Sequence, residues 1–357
     1  MKKNLIAFLL TTVMSTVLLC GCSSSSNTSS DTQESQVESA SESASGKVYK
    51  VGIVQYVDDA SLDQIEQAIE AELTAKGKEL GVTFDFSDYT YNGQADSSTL
   101  NQIATDLVAE PVDIIVPIAT PTAMIMQTAT EDNQIPVVFS AVSDPLTAGL
   151  VEDLNAPGAN ITGVSDAFNT DSLMDLMFAA DPDIKTVGLL YNKSEDASTA
   201  AIAAAKAYCD KAGVSYIEKT GTNNDEVSLA ADALVASKVD AIFTPTDNTI
   251  MTAELAIYEK FTAAKIPHYA GADSFALNGA FCGFGVNYVD LGTATADMVV
   301  DVLVNGASPA TTPVMTLNNG IATVNTDVAA ELSLDYSMFA DKCEAVKEIK
   351  TAESFKE

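Results

Sequence analysis

The chain has 357 residues, with 50 acidic side chains against 18 basic ones, all of them lysine, for a formal charge of −32. Such acidity excludes nucleic acid and anionic headgroups as natural partners, since both select basic surfaces. With one histidine, His268, and no arginine, a zinc site built on several histidines is ruled out. A Ser-His-Asp triad would have to run on His268 alone, and no guanidinium is present to grip a carboxylate with a planar fork.

At the N-terminus, Lys2 and Lys3 precede an uncharged apolar run from Leu5 to Leu19. It is short for a bilayer span and right for a signal-peptide core. The run ends in Leu19-Cys20-Gly21-Cys22, which resembles the bacterial lipobox. Residues 1–21 are therefore expected to be a cleaved lipoprotein signal peptide. Cys22 is expected to carry the lipid that holds the protein on the extracytoplasmic face of the cell membrane. Removing two lysines and no acid moves the formal charge to −34. Residues 22–46, almost wholly Ser, Thr, Glu, Asp and Gln, cannot bury enough apolar surface to offset ordering and read as a disordered tether. Cys209, Cys282 and Cys343 lack CxxC spacing. They read as buried small side chains, with a disulfide among them left open.

The body then alternates strands and helices. Val48–Tyr56 reads as a strand, and Leu62, Ile65, Ile69 and Leu73 carry a helical stripe that Gly81 ends. The strand Val82–Phe86, a helix over 97–109, the apolar strand Asp113–Ala119, another helix and the strand Ile135–Phe139 follow. The order then recurs: strand Val187–Tyr191, a helix ending at Gly213, strand Val214–Glu218, a helix over 225–236, strand Asp240–Pro245, a helix and strand Ile266–Ala270. Gly52 and Gly188, Gly81 and Gly213, Asp113 and Asp240, and Pro136 and Pro267 match at offsets of 136, 132, 127 and 131. Two copies of one βαβ unit predict an α/β fold of two doubly wound parallel-sheet lobes joined by a multi-strand hinge. Residues 48–165 with 287–307 form lobe one, residues 166–286 with 308–335 form lobe two, and 336–357 form a C-terminal helix. The crossings fall near 160–166 and 281–288.

Ligands of open parallel sheets sit beyond the carboxyl ends of the strands. In lobe one those ends hold Gln55, Tyr56, Asp59 and Ser61, then Thr120 and Thr122, then Ser143 and Asp144. In lobe two they hold Tyr191 and Glu195, then Thr246, Asp247 and Asn248, then Asp273. Thr120 reads as the N-cap of a helix that Pro121 opens, suited to an anionic group. Asp247, Asp144 and Glu195 are candidates for a ligand ammonium, and Tyr56, Tyr191 and Phe139 for stacking. Together they describe a zwitterion with an apolar side chain. Thr120, Ser143 and Asp247 fit simple helix caps equally well.

The segments Ile118–Ala123, Val142–Pro145 with Ala148–Val151, Asn160–Asp166, Leu190–Glu195 and Pro245–Thr249 resemble the TrpX-type family of ABC-transporter substrate-binding proteins over nearly the whole body. The resemblance implies a type I periplasmic-binding fold, an aromatic amino acid ligand and ABC permease subunits as partners, with no cofactor or metal and a monomeric chain. Family members often carry His-Pro where this chain has Asp59-Ala60, which bears on which ligand is taken. A nucleoside or sugar ligand, and a surface sensor or adhesin on the same fold, stay open as alternatives. An enzyme is disfavoured: no GxGxxG follows a strand, and neither GxSxG nor GxxxxGK[ST] occurs.

Overall fold

The computed structural model describes residues 46–110, 112–317, 320–352 and 354; the expected signal peptide, Cys22 and all of the expected tether but Gly46 lie outside them. The first sheet is built from β1 (Val48–Gln55), β2 (Thr83–Asp85), β3 (Thr90–Asn92), β4 (Ile114–Ile118), β5 (Val137–Ser140) and β6 (Ile161–Ser165). The helices α1 (Ala60–Leu80), α2 (Ser97–Ala109) and α3 (Thr120–Thr130) connect these strands, and α4 (Thr170–Ala180) follows β6. The second sheet runs through β7 (Thr186–Tyr191), β8 (Ser215–Thr220), β9 (Ala241–Thr244), β10 (His268–Ala270) and β11 (Cys282–Gly285). Here α5 (Asp196–Ala212), α6 (Asn224–Ser237), α7 (Asn248–Ala263) and α8 (Asp273–Leu277) make the connections. The chain closes with α9 (Tyr288–Leu303), β12 (Met315–Thr316), β13 (Ile321–Asn325), α10 (Thr326–Leu332) and β14 (Ala345–Ile349).

Local chemistry explains these limits. Asp59 caps α1 by accepting from the amides of Ser61 and Leu62, and Gly81 ends it at φ 69, donating back to the Gly77 carbonyl. Gly213 ends α5 the same way at φ 70, so the recurring glycines mark left-handed helix caps that a Cβ would strain. β4 is buried at every position, as a central parallel strand covered on both faces must be.

Strand order is β12-β6-β5-β4-β1-β2 in the first sheet, with β3 also beside β1, and β14-β13-β11-β10-β9-β7-β8 in the second. Pairing is parallel throughout except for β11 with β13. These two mainly parallel sheets with flanking helices make the two lobes of a type I periplasmic-binding fold. The chain passes from the first sheet to the second after β6, returns after β11 into α9, which packs on α1, and passes over again between β12 and β13.

Two expectations need correction. Residues 308–335 are not all in the second lobe, because Met315 and Thr316 pair with Val164 and Ser165 of β6. The Val314 amide donates to Leu154 and the Thr162 hydroxyl to Thr312, so this stretch is stitched to lobe one before it crosses. The C-terminal segment is not a helix: a 3₁₀ turn over Ser337–Asp341 leads into β14, which pairs with β13 in register. The half-buried Val346 and Ile349, spaced like a helix stripe, instead lie along a strand that closes the open edge of β13.

The α1–α9 contact is close. A Cβ on Gly292 would stand 2.5 Å from the Ile65 carbonyl oxygen and 2.7 Å from the Ala68 Cβ. Gly292→Ala must therefore push the helices apart, at a cost of about 1–3 kcal/mol. We expect a lower urea midpoint with an unchanged slope; an unchanged midpoint would show that the contact yields freely.

Candidate functional site

In both sheets the strand order reverses beside the first strand of the lobe, between β1 and β4 in one and between β7 and β9 in the other. A doubly wound sheet opens a crevice at such a switch point, beyond the strand carboxyl ends. There the lobes enclose a cleft of about 810 Å³. Lobe one lines it with Tyr56, Val57, Gln94, Ala95, Ser97, Thr120, Pro121 and Met124. Lobe two contributes Asn192, Ser194, Glu195, Asp196, the 222–225 turn, Thr249 and Thr252. The lobe-one wall is largely apolar, whereas the lobe-two wall carries Glu195, Asp196 and Asp225 and no lysine. A recess of about 20 Å³ lies where Ser61, Thr120, Ser143, Thr246, Asn248 and Tyr288 converge.

Helix starts dominate the cleft walls, and their caps differ. Asp96 caps α2, Asn223 caps α6 and Asp247 caps α7. Helix α3 has no side-chain cap at all: it begins at Thr120 itself, with Pro121 next, and its N-cap is Ala119 at φ 80 and ψ 152. Thr120 is thus the first helical residue, not the cap. Its hydroxyl, on a side chain 3 % exposed, has no partner among the described residues, and neither has that of the fully buried Thr122. An unpaired buried hydroxyl is costly, and an uncapped helix start attracts negative charge. The end of α3 can therefore receive a carboxylate.

Glu195 supplies the opposite character. One of its oxygens accepts from the Asn248 amide at 2.9 Å and from the Asn248 side chain, and the other from the Thr249 amide at 3.3 Å. Burial pushes its carboxyl up, reinforced by the neighbouring charge of Asp247. Across the cleft, burial and then the charges of Glu195 and Asp247 push the Tyr56 phenol up to about 12. A ligand cation beside Glu195 would relieve this crowding of negative charge.

The lobes are in contact behind the cleft. The Ser61 hydroxyl donates to Asp273 at 2.6 Å and accepts from the Ser274 amide at 3.1 Å, while the Gln64 amide reaches Asp273 at 3.3 Å. The hydroxyls of Ser143 and Thr246 meet at 2.9 Å. Ser61, Gln64 and Ser143 belong to lobe one and the others to lobe two, so these bonds join the lobes in a closed arrangement.

Not every sequence candidate reaches the cleft. Asp247 is 0 % exposed and lines neither cavity. Its oxygens accept from the Ile250 amide at 3.0 Å, the Asn192 amide at 2.7 Å and the Ser198 hydroxyl at 2.6 Å. It is a helix cap that also ties α7 to the loop before α5. The Tyr191 hydroxyl turns away to Glu218 at 2.7 Å, because the residue is the last of β7 and its ring sits in the lobe-two core. Asp144 caps its own turn through the Thr147 amide and faces a separate groove. Gln55 holds the first loop through the Val57 carbonyl and Asp63. Asp59, the residue that departs from the resembled pattern, is spent on capping α1 and lines neither cavity. His268 lies in the lobe-two core between Glu254 at 2.9 Å and Thr244 at 2.8 Å. The described residues hold no cluster of His, Cys, Asp and Glu fit for a metal ion. The sequence reading missed the Thr222–Asp225 turn and the Gln94–Ser97 loop, although the Gly221-Thr222-Asn223-Asn224-Asp225 run after a strand was a visible signal; Asn192 falls within the Leu190–Glu195 segment that the resemblance marks.

Buried carboxyls along the closed interface make stability pH-dependent. Burial raises Asp59 from 3.8 to about 7 and Asp166 from 3.8 to about 6. The folded chain thus holds protons that the unfolded chain has already released, and the associated stability is lost as pH climbs through those values. The melting temperature should fall between about pH 5 and about pH 8. Asp59→Asn, which keeps a capping side chain, should flatten the fall; a melting temperature that rises over this interval would contradict the assignment.

The comparisons with known proteins match this geometry. The family model described as ABC transporter substrate binding protein matches residues 50–339. The chain is 30 % identical over 357 residues, 99 % of both chains, to a tyrosine-binding protein of Clostridioides difficile strain R20291. Among solved structures it is similar to the ABC domain from Streptococcus pneumoniae in complex with L-Trp, at 34 % identity and TM-score 0.77, covering 85 % of this chain and 100 % of that one. The ligand-free, open form of a Clostridium difficile substrate-binding protein with adhesive properties matches at 33 % identity and TM-score 0.64, covering 85 % and 100 %. This is a family of binding proteins, not of enzymes. With the family match spanning nearly all of the two-lobed body and the cleft formed at both switch points, the chain belongs to the ABC transporter substrate-binding protein family, in its TrpX-type branch.

Proposed function

We propose that this protein is the extracytoplasmic, lipid-anchored receptor of an ABC importer, and that it captures one free aromatic amino acid per chain between its lobes. The observation that carries the reading is the uncapped start of α3, with the orphan Thr120 hydroxyl, on the same cleft as the buried Glu195 carboxyl. The ligand carboxylate rests on the α3 amides and the Thr120 hydroxyl, the ammonium on Glu195, and the ring against Tyr56, Val57, Pro121 and Met124. Relatives that bind tyrosine or hold L-Trp support this ligand class. Surface adhesion is a second reading, supported by the relative with adhesive properties; it predicts attachment to host surfaces that is unchanged when the cleft is mutated.

A ligand that binds only the folded chain raises its melting temperature by mass action. A thermal-shift screen of the twenty amino acids should give its largest shift with Tyr, Phe or Trp; a shift given only by a sugar or a nucleoside would defeat the reading. Glu195→Gln removes the charge-assisted bond to the ammonium, worth about 1.5–3 kcal/mol, and should weaken binding at least roughly tenfold. Retained affinity would take Glu195 out of the site.

Anchoring has its own test. Cys22→Ser should release a ligand-competent protein from membranes, because acyl chains contribute about 0.8 kcal/mol per buried CH₂ and the acidic body offers no electrostatic substitute. Wild-type protein found soluble, with an unmodified Cys22, would overturn the lipoprotein assignment.

A further inference from the structure

We infer that Ala119 is a positioning residue for the ligand: its strained backbone locks the Ala119–Thr120 peptide so that the open first turn of α3 is fixed in its receiving orientation before the ligand arrives. This rests on the reading of the α3 start as the carboxylate site.

The other non-glycine residues of positive φ lie between 54 and 60, the ordinary left-handed helical values. Ala119, at φ 80 and ψ 152, lies outside that well, in backbone space open in practice only to glycine, and such outliers persist where their surroundings force them. The forcing is visible. The Ala119 amide donates to the Ser140 carbonyl at 3.0 Å and its carbonyl accepts from the Ala123 amide at 3.1 Å, so both sides of the residue are tied. Its methyl, 3 % exposed, belongs to a buried apolar cluster that also holds Ile118, Val138 and Val164. A glycine would take this conformation without penalty, yet the chain carries a side chain here.

The second copy of the fold shows that the strain is no requirement of the topology. In the second copy the equivalent N-cap, that of α7, is Asp247. Its backbone is ordinary, at φ −100 and ψ 110, and it closes the helix start with its own carboxylate. One copy thus closes its helix start internally, and the other holds it open on a bent, rigid peptide. The buried methyl and the two backbone bonds together supply the rigidity: they hold the Ala119–Thr120 peptide in one orientation, whereas glycine has no methyl to anchor and leaves the peptide freer to rotate, so that a ligand would have to order it on binding.

The test compares wild type with Ala119→Gly by calorimetry, using L-tyrosine and L-tryptophan and the same molecules without the carboxylate, tyramine and tryptamine, at higher concentration. The variant should fold, with a melting temperature no lower than that of Gly292→Ala. It should bind the amino acids roughly tenfold more weakly, as for a carboxylate site no longer pre-formed, with affinity for the amines unchanged. Unchanged amino-acid affinity, or an equal loss for acids and amines, would overturn the inference while leaving the aromatic-ligand reading intact. Wild type that binds none of the four would overturn that reading itself.

Discussion

Parallel strands joined by right-handed crossovers place every helix start at the same edge of the sheet. Each start carries amides that the helix cannot satisfy. In this protein two such edges face each other, so a band of unpaired donors surrounds the cleft and each must be closed by a side chain or left for something else. Asp96, Asn223 and Asp247 close three of them. The starts of α3 and α5 carry no side-chain cap, and beside that of α3 the Thr120 hydroxyl has no partner among the described residues. On the proposed function, the binding chemistry is what the capping chemistry leaves over, and it would let an arginine-free chain hold an anion without a guanidinium.

Closure adds a second layer. The bonds from Ser61 and Gln64 to Asp273, and from Ser143 to Thr246, cross between the lobes. They bring the buried carboxyls of Asp59, Asp166 and Asp273 near Tyr288 at the hinge side. A carboxyl shut away from water resists ionisation, so the closed form carries a standing electrostatic cost that interlobe bonds and ligand contacts together offset. The higher similarity to a ligand-bound relative, TM-score 0.77 against 0.64 for an open ligand-free one, goes with this closed arrangement.

The doubled βαβ pattern was legible because glycine caps and buried strands leave periodic marks: Gly81 and Gly213 stand at helix ends in both copies. Thr120, Tyr56 and Glu195 were found because strand ends can be located from such marks. What the sequence could not show is where a side chain turns once it is there. Asp247 and Glu195 are both acids at a strand end of lobe two and both accept hydrogen bonds at the start of α7, yet Asp247 is shut away from the cleft and Glu195 lines it. Tyr191 ends a strand on the core-facing side of the alternation, a one-residue matter of register. The terminal strand β14 was hidden because five residues with two half-buried apolar side chains satisfy either period. The strain at Ala119 has no sequence signature at all, since alanine is ordinary in any element.

On the proposed function, the α3 start receives the ligand's carboxylate. Amide proton shifts report hydrogen bonding directly, so the decisive measurement is an ¹⁵N-resolved NMR titration of the labelled protein with L-tyrosine or L-tryptophan. The Thr120 and Thr122 amides should move downfield on saturation, more than the capped amides of Ile250 in α7 and Glu226 in α6. Binding that saturates while Thr120 and Thr122 stay in place would contradict it.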